Sequence, residues 1–533
     1  MPVLHNLRLP TLIGRLSPSH SILSSLIFTL LGIHLFITWH SARQRLRKHG
    51  EKAPAAPSWA PFGIDLLATA VRRLISNDFF TWSRELLSVP GRTVSISMIG
   101  QDLLMTDAPE NIKAVLSTHF SDWAKGETFH TIWEDLMLDS IFASDGALWH
   151  ANKDMLRTFI SKLRSTDYDV TEKHISQLFQ NLEDGESYDF FDQIDRFSLD
   201  VVTDVFFGES AGTLTSEKQP VREAVEDMYV WNTKRVLLGN LGPFLPGSPK
   251  ASGVMHSYLD RVIDKARATN EESDPDEKSR REDSMLGSLL RQGLSRKLIK
   301  DAMLAIMLGG KDPSSITLVW VIYELARQPE ILVKLREEIA HTVGFAPLPT
   351  PGQLKQMPLL QNIIKETLRL HPPVGYNIRV AAKDTSLPTG GGLDGTKPVG
   401  VLKGTHIITS NLGVQRLHSS PAPPSLPSFD IFAPSRWQSW TPDLWTYLPF
   451  NHGNRVCLGR NFAMMQMEYF LCRIFQEFES VQLMDEEMDR KCLYKVKGVD
   501  GREERGEMKI KMALNTKPAG AVMVKFVKTG KRQ

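Results

Sequence analysis

Cysteine is nearly missing from this chain: Cys457, Cys472 and Cys492 are the only three in 533 residues, and their spacing is irregular. That argues against a disulfide framework and against a cysteine-built zinc cluster, and it points to a catalytic part in a reducing compartment. A charge bias is missing as well. Lys and Arg number 63 against 61 Asp and Glu, a formal net charge of +2, and no basic stripe carries interleaved aromatics. Nucleic acid is therefore not an expected partner. No internal repeat is found. One further absence is local, because no Asp, Glu, Lys or Arg occurs between Leu16 and Ala42.

That interval contains the apolar run Ile22 to Ile37, close to the roughly 20 residues a bilayer core requires. It predicts one transmembrane helix. The run exceeds a usual signal-peptide core and no small-residue cleavage site follows it, so a retained signal anchor is the better reading. Arg43, Arg45, Arg47 and Lys48 follow the run, against Arg8 and Arg15 before it. The positive-inside rule then places the remainder in the cytoplasm. Residues 1–50 read as a membrane anchor with a basic flank and residues 51–533 as a single catalytic domain. Between them, Ala53 to Pro61 is rich in Pro and Ala, which stiffens the exit from the membrane and discourages helix or sheet. From Phe62 onward helical apolar spacing dominates, with short strand-like pieces at Thr93 to Met98 and Gly404 to Thr409. The expected fold is mainly α with a minor β-sheet part. Lys265 to Asp283, charged and poor in apolar residues, reads as a solvated loop.

What is present is concentrated in Phe450-Asn-His-Gly-Asn-Arg-Val-Cys-Leu-Gly459. Cys457 stands just before a segment with helical apolar spacing, Phe462, Met465, Tyr469, Cys472 and Phe475. A thiol at a helix entrance meets free N–H groups and the positive end of the dipole, which favours a thiolate able to bind a soft metal. Gly453 and Gly459 permit a tight turn and close approach to a flat ligand, and Arg455 supplies a fixed charge for a carboxylate. Cys472 and Cys492 read as small buried hydrophobes. The complete spacing Phe-x-x-Gly-x-Arg-x-Cys-x-Gly resembles the signature loop of the cytochrome P-450 family, with haem iron on a cysteinate.

The resemblance covers roughly Pro54 to the C-terminus. It implies the cytochrome P-450 fold, haem bound by Cys457 as metal ligand, and Phe450, Arg455 and Gly459 as cofactor-binding residues. Trp149 and Lys153 match a Trp-x-x-x-Arg pair that faces a haem propionate, with lysine a point charge in place of the arginine fork. Arg379, in Asn377-Ile378-Arg379-Val380, matches the arginine of a second propionate contact. Glu366, Arg369 and Arg436 match a structural ion network that holds the haem loop.

A long apolar helix is predicted from Ala302 to Tyr323, interrupted by Gly309-Gly-Lys-Asp-Pro-Ser-Ser315. A helix apolar all round is buried, and a polar insertion in it is costly unless it has a use. It is similar to the family's distal helix, whose pattern Ala/Gly-Gly-x-Asp/Glu-Thr-Thr/Ser passes protons during oxygen activation. That implies catalytic roles for Asp312 and Ser314. Pro313 stands where the first Thr is usual, and without its N–H the helix is expected to kink or open. The alternative for Asp312 is a helix-break residue capped by local backbone.

The implied activity is membrane-bound monooxygenation of an apolar substrate with O2 and electrons from NADPH through NADPH-cytochrome P-450 reductase, at the endoplasmic reticulum. Val374, Met303, Ile306 and Met307 are the expected pocket walls. Leu199-Asp200 and Phe206-Phe207-Gly208-Glu209-Ser210 resemble the fungal microsomal branch that includes alkane and fatty-acid hydroxylases. The departures at Lys153, Pro313 and Gln415 incline the reading toward tailoring of a specialised metabolite, a terpenoid or polyketide. Long-chain fatty acid or alkane hydroxylation is the alternative, and a haem-binding membrane protein without turnover is the rival from another class.

Overall fold

The computed structural model describes residues 18–268, 283–417, 426–497, 503–528 and 530. Helices dominate, and several small sheets are set among them. Seven helices carry the argument: α1 (Pro18–His49), α2 (Gly146–Ile160), α3 (Phe190–Phe207), α4 (Pro220–Leu237), α5 (Arg296–Arg327), α6 (Pro358–Leu370) and α7 (Arg460–Glu477).

The axis of the molecule is α5. It begins where the Ser295 hydroxyl accepts the Leu298 N–H at 3.3 Å, satisfying one of the donors a helix start leaves free. It ends at Arg327 because Gln328, preceding Pro329, is pushed out of helical geometry (φ −131°, ψ 69°). Its apolar residues from Ala302 to Leu308 and from Ile316 to Leu325 are buried on every side, as the sequence pattern requires. Gly310 lets α3 approach closely, since a Cβ there would stand 2.9 Å from Val202 Cγ2. Phe197 of α3 in turn meets Phe470 of α7, ring centroids 5.2 Å apart. Each large apolar side chain removed from water in this way contributes about 1.5–3 kcal/mol.

The expected strands are found. β1 (Thr93–Met98) and β2 (Gln101–Thr106) form a hairpin whose turn residues Ile99 and Gly100 take positive φ, 49° and 71°. With β3 (Trp123–Ala124), β4 (Tyr376–Ala381) and β5 (His406–Ser410) they make one sheet, in the order β1-β2-β5-β4-β3. Only the β2–β5 pairing is parallel. A separate hairpin joins β6 (Ile510–Met512) to β7 (Thr516–Pro518), with Ala513 to Asn515 at its tip.

Pro18 to His49 is helical, and its described apolar side chains from Leu26 to Trp39, among them Leu30, Ile33, Phe36 and Ile37, are exposed. Part of the run Ile22 to Ile37 lies outside the described side chains. Among the described residues no helix is long and apolar enough to cross a membrane. Two readings change. Lys265 to Arg267 continue the helix Pro249–Arg267, and the rest of the expected loop up to 282 lies almost wholly outside the described residues. The Pro- and Ala-rich exit segment does touch a sheet, Ala55 bridging Ser95 in parallel, which buries Ala53 and Ala56.

Candidate active site

The loop Phe450 to Gly459 turns back on itself through the Cys457 N–H, which donates to the Phe450 carbonyl at 2.9 Å. Asn451 and Gly453 make the turn with φ of 55° and 70°. Glycine is required at 453, because a Cβ would come 2.1 Å from the Leu116 carbonyl oxygen. Gly459 is different. A Cβ there would meet only Ile160 Cγ2 at 3.7 Å and the Cys457 sulfur at 4.0 Å, so no protein atom forbids it, and its position beside the sulfur is what matters.

Cys457 stands at the entrance to α7, as expected, and its sulfur opens into a cavity of about 630 Å³. Its surface is therefore accessible although protein surrounds it. That surrounding desolvates the thiol and raises its pKa; the Gly459 N–H and Arg460 pull it down by less. A metal cation bound at this sulfur would favour the thiolate over the thiol.

Positive charge collects at the cavity edge. Arg455 donates to the carbonyls of Ile141 (3.1 Å) and Ser144 (2.9 Å) and to Asp145 (2.8 Å), with its guanidinium 4.5 Å over the Trp149 ring. Arg379, on β4, donates to the Ile378 carbonyl at 2.7 Å. Lys125 faces the same space and was not singled out by the sequence. It arrives there because Trp123 and Ala124 pair with Ala381 and Val380, a register no local motif reveals. Burial, reinforced by mutual repulsion, pushes Lys125 well down and Arg379 down to about 9; burial takes Arg455 to about 10 despite Asp145. Asp145 also accepts the backbone N–H groups of Lys125 and Gly126. Cations thus outnumber carboxylates in a low-dielectric edge, an imbalance that the two acids of a haem would correct. Trp149 is buried against Arg455, while Lys153 donates to the Asn454 carbonyl at 2.9 Å and lies 4.9 Å over Trp149, tying α2 to the loop.

Behind the loop, Glu366 accepts two bonds from Arg369 at 2.9 Å, one from Arg436 at 2.8 Å, and others from the Trp437 indole and the Ala433 N–H. Burial would raise the Glu366 carboxyl, but the two arginines hold it below the usual range. Gln415 belongs to the same scaffold. Its amide donates to the carbonyls of Leu368 and Arg369 and accepts from the Leu448 N–H at 2.7 Å, so the glutamine is fully held by backbone groups around it.

The opposite wall departs from expectation. α5 runs unbroken through Pro313. Gly309 accommodates the Phe142 ring, whose Cζ would lie 2.9 Å from a Cβ. Ser314 and Pro313 line the cavity, but Asp312 does not. Its carboxylate accepts from Lys311 Nζ (2.6 Å), the Tyr229 hydroxyl and Asn515 Nδ2 (3.1 Å), so side chains from α4 and the β6–β7 hairpin hold it, and the local-backbone cap is not what is found. Of the expected apolar walls, Val374 and Ile306 line the cavity; Met303 and Met307 are buried elsewhere on α5.

Comparison with known proteins agrees with this geometry. The family model for Cytochrome P450 matches residues 54–500. The chain is 33% identical to cytochrome P450 monooxygenase pvhE of Talaromyces variabilis over 88% of its own length and 91% of the relative. It is 31% identical to cytochrome P450 monooxygenase FPY7 of Fusarium mangiferae (86% and 90%) and 30% identical to cytochrome P450 52E1 of Candida apicola (91% and 94%).

Proposed function

Because the chain belongs to the cytochrome P450 family of haem-thiolate monooxygenases, we propose that Cys457 is the axial thiolate of an enzyme that tailors an apolar specialised metabolite, a terpenoid or polyketide. The haem, when bound, supplies the oxygen activation and the insertion into a C–H bond. The protein's own residues do the rest. Arg455, Arg379 and Lys125 orient the ring by its carboxylates, Trp149 supports Arg455, and Phe450 and Gly459 flank the sulfur. The Glu366 network keeps the loop from moving. Apolar walls at Ala305, Ile306 and Val374 exclude water. Ser314 presents a hydroxyl to the cavity, and Asp312 holds a proton at Tyr229 Oη behind it.

The observation that carries the substrate class is the rebuilt Asp312 wall, with a proline in the relay position and a polar cluster around it. Fatty acid or alkane hydroxylation is the second reading, favoured by the shared branch motifs at Leu199-Asp200 and Phe206-Phe207-Gly208. Electrons would come from NADPH through a reductase in the same membrane. Residues 1–50 would anchor residues 51–533 to the endoplasmic reticulum on its cytoplasmic side, a reading supported by the uncharged interval Leu16 to Ala42 and the basic flank after it. Reconstitution with reductase and NADPH tests the whole. The reduced carbonmonoxy complex is expected to show the red-shifted Soret band of thiolate ligation, and an apolar panel is expected to yield an oxygenated product. NADPH consumed with no such product would favour haem binding without turnover.

A further inference from the structure

We propose that Tyr229 and Asn515 form a hydrogen-bond acceptor site in the cavity wall that seats a hydroxyl group of an otherwise apolar substrate. The inference rests on the monooxygenase reading and narrows its substrate class.

The argument starts from the chemistry of Asp312. A carboxylate only accepts, so the groups bonded to it must turn their hydrogens toward it. Tyr229 Oη donates to Asp312 Oδ2, which commits the phenol's one proton. Asn515 Nδ2 donates to the same oxygen at 3.1 Å, which fixes the amide so that Oδ1 is its other arm. Both residues line the cavity. What they have left to offer a ligand is the lone pairs of Tyr229, the Asn515 carbonyl oxygen and the second Asn515 N–H, so acceptor capacity outweighs donor capacity.

Asp312 cannot easily swing away to release them. Its other oxygen is paired with Lys311 at 2.6 Å, Lys311 with Asp195 at 2.6 Å, and Asp195 with Arg222 at 2.6 Å. This is a chain of alternating charge that runs from the cavity wall to half-buried Arg222 and Asp192, and opening it at Asp312 would strand a buried charge. Burial, with Asp312 alongside, raises the Tyr229 hydroxyl well above its usual range, so it stays a neutral hydroxyl at any working pH. Gly309 adds to the same character. Pro313 has no N–H to give its carbonyl, and both residues line the cavity.

Around these acceptors the wall is apolar, with Ala305, Ile306, Leu308 and Val236. Acceptors in an apolar wall favour a ligand that brings a donor over one of equal shape that does not. They do not favour an acid. The cation nearest this wall, Lys311, is already held between two carboxylates. A fatty-acid carboxylate therefore finds no free cation at this wall, whereas a hydroxylated hydrocarbon skeleton finds acceptors for its proton.

The test is an optical binding titration of the holoenzyme, which reads the Soret shift on ligand entry and needs no turnover. Matched alcohol, methyl ether and carboxylic acid probes are used on a linear, a terpenoid and a polycyclic skeleton. On at least one skeleton the alcohol is expected to bind about three- to tenfold tighter than its ether, the range one net hydrogen bond provides. Tyr229→Phe is expected to bring that ratio close to one while leaving the ether's Kd within about twofold, and Asn515→Leu to lower it in part. If Tyr229→Phe fails to take up haem, Asn515→Leu alone decides. The proposal is overturned by absence of alcohol preference on every skeleton (no binding included), by an acid binding tighter than its alcohol, or by a preference that survives both substitutions. It is also overturned if Tyr229→Phe alters only the coupling of NADPH to product, which would assign the tyrosine to proton delivery. Loss of the red-shifted carbonmonoxy band in the wild type would instead sink the monooxygenase reading itself, so the two failures are separable.

Discussion

On the Cys457 side of the cavity the sulfur and its immediate surround come from one continuous loop closed by its own backbone bond, while Glu366, Arg369 and Arg436 pin the segment 427–436 that precedes it. On the Asp312 side they come from α5, α4 and the β6–β7 hairpin, joined by side chains. The loop has to hold one atom in one place, so its geometry is written into contiguous residues. The other wall meets the substrate, and its polar groups can be redistributed among elements as long as each finds a partner. Proline at 313 is tolerable on that wall and would have no counterpart in the loop.

The largest effect that tests this contrast is at the loop's centre. Cys457→Ser is expected to abolish the red-shifted carbonmonoxy band and reduce turnover to background; a variant that retained the band would move the axial ligand elsewhere. Next is the scaffold behind it. Arg369→Ala leaves Glu366 buried with one of its two arginines, a loss of about 3–5 kcal/mol. The expected result is little folded holoprotein at 37 °C, measured by haem retention and thermal unfolding, and an ordinary melting curve would show that the loop does not depend on this network.

Much of the first wall was legible in the sequence. Cys457, Arg455 and the helix after them are set by local spacing, and Arg379 by a short motif that falls on β4. Lys125 was not legible, because only the pairing of Trp123-Ala124 with β4 brings it to Arg379. Around Asp312 only residue types were legible and not their partners, since Tyr229 is 83 residues away and Asn515 is 203. Pro313 does not end α5, which stays helical through it with buried apolar residues on both sides.

Two smaller effects sharpen the comparison. Pro313→Thr restores the N–H that Gly309 lacks and removes a helix-interior proline, worth at most ~3 kcal/mol. The thermal midpoint is expected to rise by a few degrees, and coupling of NADPH to product to improve if the missing hydroxyl limits it. An unchanged midpoint would mean that the wall already accommodates the proline. The smallest effect concerns Glu468 on α7, whose carboxyl burial raises to about 7, offset weakly by Lys355 and Lys365. The unfolded chain releases this proton near pH 4.5 and the folded chain only near 7. Its contribution is therefore fully present below 4.5 and lost as pH rises through 7. Solvent screening at this half-buried site keeps the change near ~1 kcal/mol. Glu468→Gln should flatten the decline in stability between pH 5 and 8 measured by denaturant unfolding, and an unaltered slope would remove Glu468 as its source.

The surplus of cations beside Asp145 bears on which prosthetic group the chain accepts. Lys125, Arg379 and Arg455 repel one another until acids arrive, so uptake of the ring also neutralises charge and not only fills a hydrophobic slot. An iron porphyrin with its two acids esterified has the same plane and the same metal, yet it leaves that repulsion in place. Selection among tetrapyrroles would then turn on the number of ionised acids at the ring's edge.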